Sequence, residues 1–144
     1  MVAIVDYGVG NLFSLTSSFK AVGADVFVSG EEKELLKAEK LILPGVGAFG
    51  DAADKLRSTG LDKFVISQAE KGVSLLGICL GMQLLFDKSY EYGENDGLGL
   101  IKGEVYPILP DLTVPLKVPH MGWNSLELVK DSPIFRYVND GLLF

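Results

Sequence analysis

Four short, largely apolar runs, at residues 2–5, 26–28, 41–43 and 73–78, each stop abruptly, and segments with helical spacing fill the intervals between them. Apolar runs this short, bounded by turn residues, fit strands buried on both faces. Asn11 stands where a helix N-cap belongs. Leu12, Leu15, Phe19 and Val22 follow at helical spacing, and Gly23 ends that segment. Residues 31–40 read as a short polar helix. Residues 49–57 and 61–71 read as two more, the second with Leu61, Phe64, Val65 and Ala69 on one face. A further helix is expected over residues 80–86. Strands alternating with helices mean βαβ units, so the fold class is α/β with a doubly wound, mostly parallel sheet of flavodoxin-like type.

The texture changes after Tyr90. Residues 91–99 form a loop rich in Gly, Asp, Asn and Glu. Short strand candidates follow at 100–101, 105–106, 116–118 and 126–129, separated by Gly and Pro, and they suggest a short antiparallel annex. Asp131-Ser132-Pro133 opens a last short helix. Gly141-Leu142-Leu143-Phe144 begins like a strand and then stops. The expectation is one domain over residues 1–144, incomplete at its C-terminus.

Composition excludes several classes of function. Thirteen Lys and Arg against nineteen Asp and Glu give a net charge of −6, with the basic residues scattered singly. No patch is built for phosphate backbones or anionic lipid, so neither nucleic acid nor a membrane is an expected partner. The uncharged stretch 72–86 is too short and too polar to span a bilayer, and no signal-peptide pattern is read. One cysteine excludes an internal disulfide and fits a reducing cytoplasm. A single histidine beside that single cysteine excludes a Cys/His zinc site. Neither a metal nor any other cofactor is expected.

Three loops fall at the carboxyl ends of predicted parallel strands, where open α/β sheets place their ligands. They cover residues 6–11, 44–50 and 77–83. Gly77-Ile78-Cys79-Leu80-Gly81 has the spacing of a nucleophile elbow between a strand and a helix. The glycines admit a tight turn with a strained central residue. The following helix N-terminus favours a thiolate, and the Leu80 N–H can point at a developing oxyanion. A buried structural cysteine is the competing reading, and the flanking glycines in this context favour the nucleophile. Pro44-Gly45-Val46-Gly47-Ala48-Phe49-Gly50 lacks the lysine of a phosphate-binding loop, and beside an elbow it is a natural source of a second oxyanion donor. A cysteine nucleophile needs a base, and residue types alone propose His120, the only histidine. A structural or interface histidine is equally compatible.

Gly77-Ile78-Cys79-Leu80-Gly81-Met82-Gln83 resembles the nucleophile motif of class I (triad-type) glutamine amidotransferases. Asp6-Tyr7-Gly8-Val9-Gly10-Asn11, Pro44-Gly45-Val46-Gly47-Ala48-Phe49 and Pro119-His120-Met121-Gly122-Trp123-Asn124 narrow the resemblance. They are similar to the branch whose glutaminase subunit delivers ammonia to a (β/α)8-barrel cyclase in L-histidine biosynthesis, as a heterodimer. The resemblance implies that Cys79 attacks the side-chain amide of glutamine. It implies Val46 and Leu80 as oxyanion-hole N–H donors, and Gly47 and Gln83 as residues that hold glutamine. Asn11, His120, Met121, Trp123 and Asn124 would lie toward the cyclase. His120 is then not the base, which in the family is a histidine followed two residues later by a glutamate, both beyond Phe144. A glutaminase serving another synthase, and a non-catalytic α/β binding subunit, are the alternative functions.

Overall fold

Strand β1 (Val2–Val5) is buried from Ala3 to Val5. Asp6 ends it, its carboxylate accepting from the Gly8 amide at 3.0 Å in an Asx turn. Helix α1 (Leu12–Ala21) starts at Asn11, whose side chain accepts from the Ser14 amide at 3.1 Å. A cap of this kind is worth ~1 kcal/mol. Gly23 closes the helix in left-handed backbone at φ +77°. Then come β2 (Val26–Ser29), α2 (Glu32–Leu35), β3 (Lys40–Leu43), α3 (Phe49–Ser58), α4 (Leu61–Glu70) and β4 (Ser74–Gly77). These belong to a computed structural model that describes residues 1–136. The strand expected at 141–144 lies outside the described residues. The chain divides into two units, Met1–Pro107 and Ile108–Phe144.

The first four strands are all parallel, in the order β2-β1-β3-β4. The chain steps outward from β1 to β2, returns across β1 to β3, and continues to β4. With right-handed crossovers, α1 lies on one face and α2, α3 and α4 on the other. The core is on the second face. Ala3, Val5, Leu41 and Leu43 meet Phe49 and Leu56 of α3 and Leu61, Phe64 and Val65 of α4. Strand alternation turns Ile4 and Ile42 to the α1 face. Both are buried, yet α1 itself has no buried residue.

Several boundaries differ from the sequence reading. The helix expected over 31–40 is the single turn α2, held by buried Leu35. It ends early because the Glu39 amide already donates to the Met1 carbonyl on the way into β3. On α4 it is Gln68, not Ala69, that completes the buried face with Leu61, Phe64 and Val65. The helix expected over 80–86 is again one turn, α5 (Leu80–Gln83). The Leu84 and Leu85 carbonyls accept from the Leu98 and Ile101 amides, which draws the chain into strand β5 (Phe86–Ser89).

The annex is a separate mixed sheet and not an antiparallel one. Strands β6 (Asn95–Asp96) and β7 (Ile101–Val105) flank β5 in the order β6-β5-β7, β6 antiparallel and β7 parallel to β5. Of the candidates at 100–101 and 105–106, Ile101 and Val105 are the two ends of the one strand β7, with Leu100 and Tyr106 just outside it. Gly103, which looks like a break in the sequence, sits at φ +131° where the register slips between Phe86 and Lys88. It is a bulge inside a strand. The candidates at 116–118 and 126–129 do not form strands. Pro115 and Pro119 bracket the first, and neither carries the N–H a ladder needs. In the second unit the described regular structure is two short 3-10 turns, Leu109–Asp111 and Pro133–Phe135. The latter is the helix expected after Asp131.

Candidate active site

In a sheet ordered β2-β1-β3-β4 the crossover direction reverses between β1 and β3, and ligands bind beyond the carboxyl ends of the strands at such a point. The loops 6–11 and 44–50 leave the sheet there. The loop carrying Cys79 leaves β4, the next strand along. The three loops pack closely, the second between the other two. The Tyr7 hydroxyl donates to the Pro44 carbonyl at 2.6 Å. A Cβ on Gly10 would lie 2.8 Å from the Pro44 ring, and one on Gly45 2.5 Å from the Gly81 amide nitrogen. A Cβ on Gly81 would lie 1.9 Å from the Leu43 carbonyl oxygen. At the far end of the second loop, the Phe49 amide that opens α3 donates to Glu91 Oε2 at 2.7 Å.

Cys79 sits at φ +55°, ψ −121° between β4 and α5, as the sharp turn of an elbow requires. Holding a non-glycine residue there costs ~1–3 kcal/mol. The buried-cysteine alternative is excluded, because Cys79 is exposed and unbridged. The helix behind it is only one turn long, so the macrodipole anticipated from a longer helix is small, and what the turn offers is its own first N–H groups.

A cavity of about 110 Å³ opens beside the thiol, lined by Asn11, Ser14, Leu15, Pro44, Gly45, Val46, Ile78 and Cys79. The fold thus brings Asn11, Val46 and Cys79 around one space. Leu80 follows directly, with its side chain buried in the core, so its contribution at the turn is its backbone. Gly47 has φ +88° and open space around it. Gln83 ends α5, and its amide donates to the Cys79 carbonyl at 3.3 Å. Neither Gly47 nor Gln83 lines the cavity. His120, Met121, Trp123 and Asn124 belong to the second unit. There the His120 Nε2 and Asn124 Nδ2 atoms are 2.6 Å apart, and Met121 and Trp123 are exposed.

Tyr7 and Glu91 hold the site together, and the sequence reading gave neither a role. Burial pushes the Tyr7 phenol up to about 12, so it stays a donor through the neutral range. Tyr7 had a signal, a polar aromatic directly at a strand end inside a loop motif. Glu91 had none, because its partner Phe49 is remote in sequence and nothing local marks the pair.

The glutamine amidotransferase class-I family matches residues 3–141. Over its whole length the chain is 49% identical to the imidazole glycerol phosphate synthase subunit HisH of Geobacillus kaustophilus, of which it spans 69%. It is 45% identical to the HisH subunit of Bacillus subtilis, again over its whole length and 69% of that protein. It is 47% identical over 98% of its length to the HisH subunit of Wolinella succinogenes. A solved crystal structure of glutamine amidotransferase superposes with a TM-score of 0.63 at 24% identity, covering 73% of this chain and 55% of that one, a likeness of fold. No helix among the described residues is long and apolar enough to cross a membrane. The class-I amidotransferase match and the 45–49% identity to HisH subunits over the whole of this chain agree, and the chain belongs to the glutamine amidotransferase class-I family, in its HisH branch.

Proposed function

We propose that the chain is the glutamine-hydrolysing component of imidazole glycerol phosphate synthase, acting in L-histidine biosynthesis. The observation that carries this reading is Cys79 in left-handed backbone at the mouth of a cavity shared with Val46 and Asn11. The Cys79 sulfur attacks the side-chain carbonyl carbon of glutamine, and the carbonyl π electrons move onto oxygen. The Val46 and Leu80 N–H groups receive that oxyanion. The C–N bond breaks as the nitrogen takes the proton that the general base removed from the Cys79 thiol, leaving a γ-glutamyl thioester and ammonia. Water then cleaves the thioester to glutamate and restores the thiol. Gly47 and Gln83, which follow the cavity residues Val46 and Cys79 in sequence but do not line the cavity, are the further residues proposed to hold the substrate. The proposed general base is a histidine, and Met1–Pro107, the unit that contains Cys79, has none.

Ammonia in bulk water near neutral pH is mostly protonated and no longer nucleophilic. Delivery through a closed route to a (β/α)8-barrel cyclase avoids that loss and yields imidazole glycerol phosphate and AICAR. Asn11 and the stretch from His120 to Asn124 lie toward this partner in the proposed heterodimer. A free catalytic thiol suits a reducing cytoplasm, the proposed location. A glutaminase serving a different synthase is disfavoured by the 45–49% identity to HisH subunits.

The test is Cys79→Ser in the full chain complexed with its cyclase. Glutamine-dependent turnover is expected to vanish while added ammonium still supports the cyclase, whose step needs ammonia and not the thiol. Equal loss with both nitrogen donors would refute the division of labour.

A further inference from the structure

We propose that Tyr7 is a positioning residue for glutamine hydrolysis: by holding the Pro44 carbonyl, its hydroxyl fixes the frame from which the Val46 amide is aimed at the oxyanion. The inference rests on the reading of Val46 as an oxyanion donor. A peptide group is planar, so fixing the Pro44 oxygen also fixes the direction of the Gly45 N–H. The hydrogen bond that does so is 2.6 Å long and buried. The Gly45 Cα is held separately. A Cβ there would lie 2.5 Å from the Gly81 amide nitrogen and 2.9 Å from the Leu80 Cβ, so Gly45 is seated against the nucleophile turn.

With that plane and that Cα both set, the next peptide is free only to rotate about its two flanking single bonds. This next peptide carries the Val46 N–H. The downstream side gives little restraint, because Val46 is 51% exposed and a Cβ on Gly47 would meet nothing within 4 Å. The fixed frame from which those two rotations aim the Val46 N–H therefore lies upstream, where Tyr7 is the anchor. Tyr7 can serve because it is fixed itself: it is 2% exposed and packed in the main core cluster. The Pro44 ring is also backed by Gly10, at the far end of the Tyr7 loop. Direction matters here, since hydrogen bonds weaken steeply once the donor angle falls below about 120°.

Tyr7→Phe removes one oxygen and keeps the ring. The measurement uses the full chain in its cyclase complex, with active sites counted by alkylating Cys79 with iodoacetamide. Relative to the 10²–10³-fold loss typical when an oxyanion donor is removed outright, misaiming it is expected to lower kcat roughly tenfold per titrated site. KM should stay within about twofold and the alkylation rate of Cys79 should be unchanged, because neither depends on the oxyanion. Val46→Pro removes the donor itself. In that background Tyr7→Phe should have no further effect, since residues acting through one contact are non-additive. Replacing Val46 by its α-hydroxy analogue, which deletes the N–H without a ring, runs the same cycle if proline distorts the loop. Equal losses from Tyr7→Phe in both backgrounds, or a kcat unchanged by Tyr7→Phe alone, overturn the positioning role and leave Val46 standing. Parent-like turnover in both Val46 variants overturns the Val46 reading, and the role of Tyr7 with it.

Discussion

The Tyr7 hydroxyl ties the first strand's loop to the third strand's loop, and the burial that makes this bond strong leaves a signature in alkali. In the folded chain burial raises the phenol to about 12, against about 10 for an exposed tyrosine. Below pH 10 both states are protonated and Tyr7 adds no pH dependence. Between about 10 and 12 the unfolded chain releases the proton while the folded chain keeps it. The unfolded state then binds fewer protons, so stability falls as pH rises. The contribution is whole below the unfolded value and lost as pH climbs through the folded one. Denaturant titrations of Tyr7→Phe across that window should show a shallower decline than the parent. Tyr106, raised by its hydrogen bond to Glu104, contributes to both curves and cancels in the comparison. Identical slopes would mean that the Tyr7 phenol is not held in its buried, bonded state.

At the scale of elements, the Cys79 turn is set by how closely α5 approaches β3 and the 44–50 loop. Gly81 has no left-handed requirement, but any side chain there would run into the Leu43 carbonyl at 1.9 Å. Gly81→Ala must push α5 away from β3, and overpacking of this kind costs ~1–3 kcal/mol or more. Gly47 differs in kind: it stands at φ +88° in open space. Gly47→Ala should cost only the ~1–2 kcal/mol of left-handed backbone. Chemical denaturation should rank Gly81→Ala as the more destabilised and give it the slower Cys79 alkylation. The reverse order would mean the loop is not packed on the turn. The same contrast explains what the sequence could disclose. Val2–Val5, Lys40–Leu43 and the elbow around Cys79 were legible because period and glycine spacing are local. The ends of α2 and α5 were not, since tertiary partners of Glu39, Leu84 and Leu85 claim their backbone groups. Gly103 read as a break because a bulge is defined by its neighbour strand. In the site, Cys79, Val46 and Asn11 came from motifs, while Tyr7 and Glu91 act through contacts that no local pattern encodes.

For the molecule as a whole, Cys79, the proposed nucleophile, and the only histidine of the sequence belong to different units, Met1–Pro107 and Ile108–Phe144. A histidine acting as base must reach the nucleophile, directly or through one water, while one serving the partner acts on coupling alone. Within its unit His120 is engaged locally, its Nε2 atom 2.6 Å from the Asn124 amide nitrogen. It is flanked by exposed Met121 and Trp123. Aromatic and methionine side chains are enriched at protein contact surfaces, which agrees with the proposal that this stretch faces the cyclase. His120→Ala in the full chain with its cyclase should therefore leave basal glutamine hydrolysis within about threefold of the parent, because general-base loss would cost 10²–10⁴. What should fall is the stimulation of hydrolysis when the cyclase carries its ligand, together with the fraction of released nitrogen that reaches product. Measuring glutamate and cyclase product in the same reaction separates the two effects. Glutamate release falling as far as in Cys79→Ser would make His120 the base. Parent-like coupling would remove it from the contact surface.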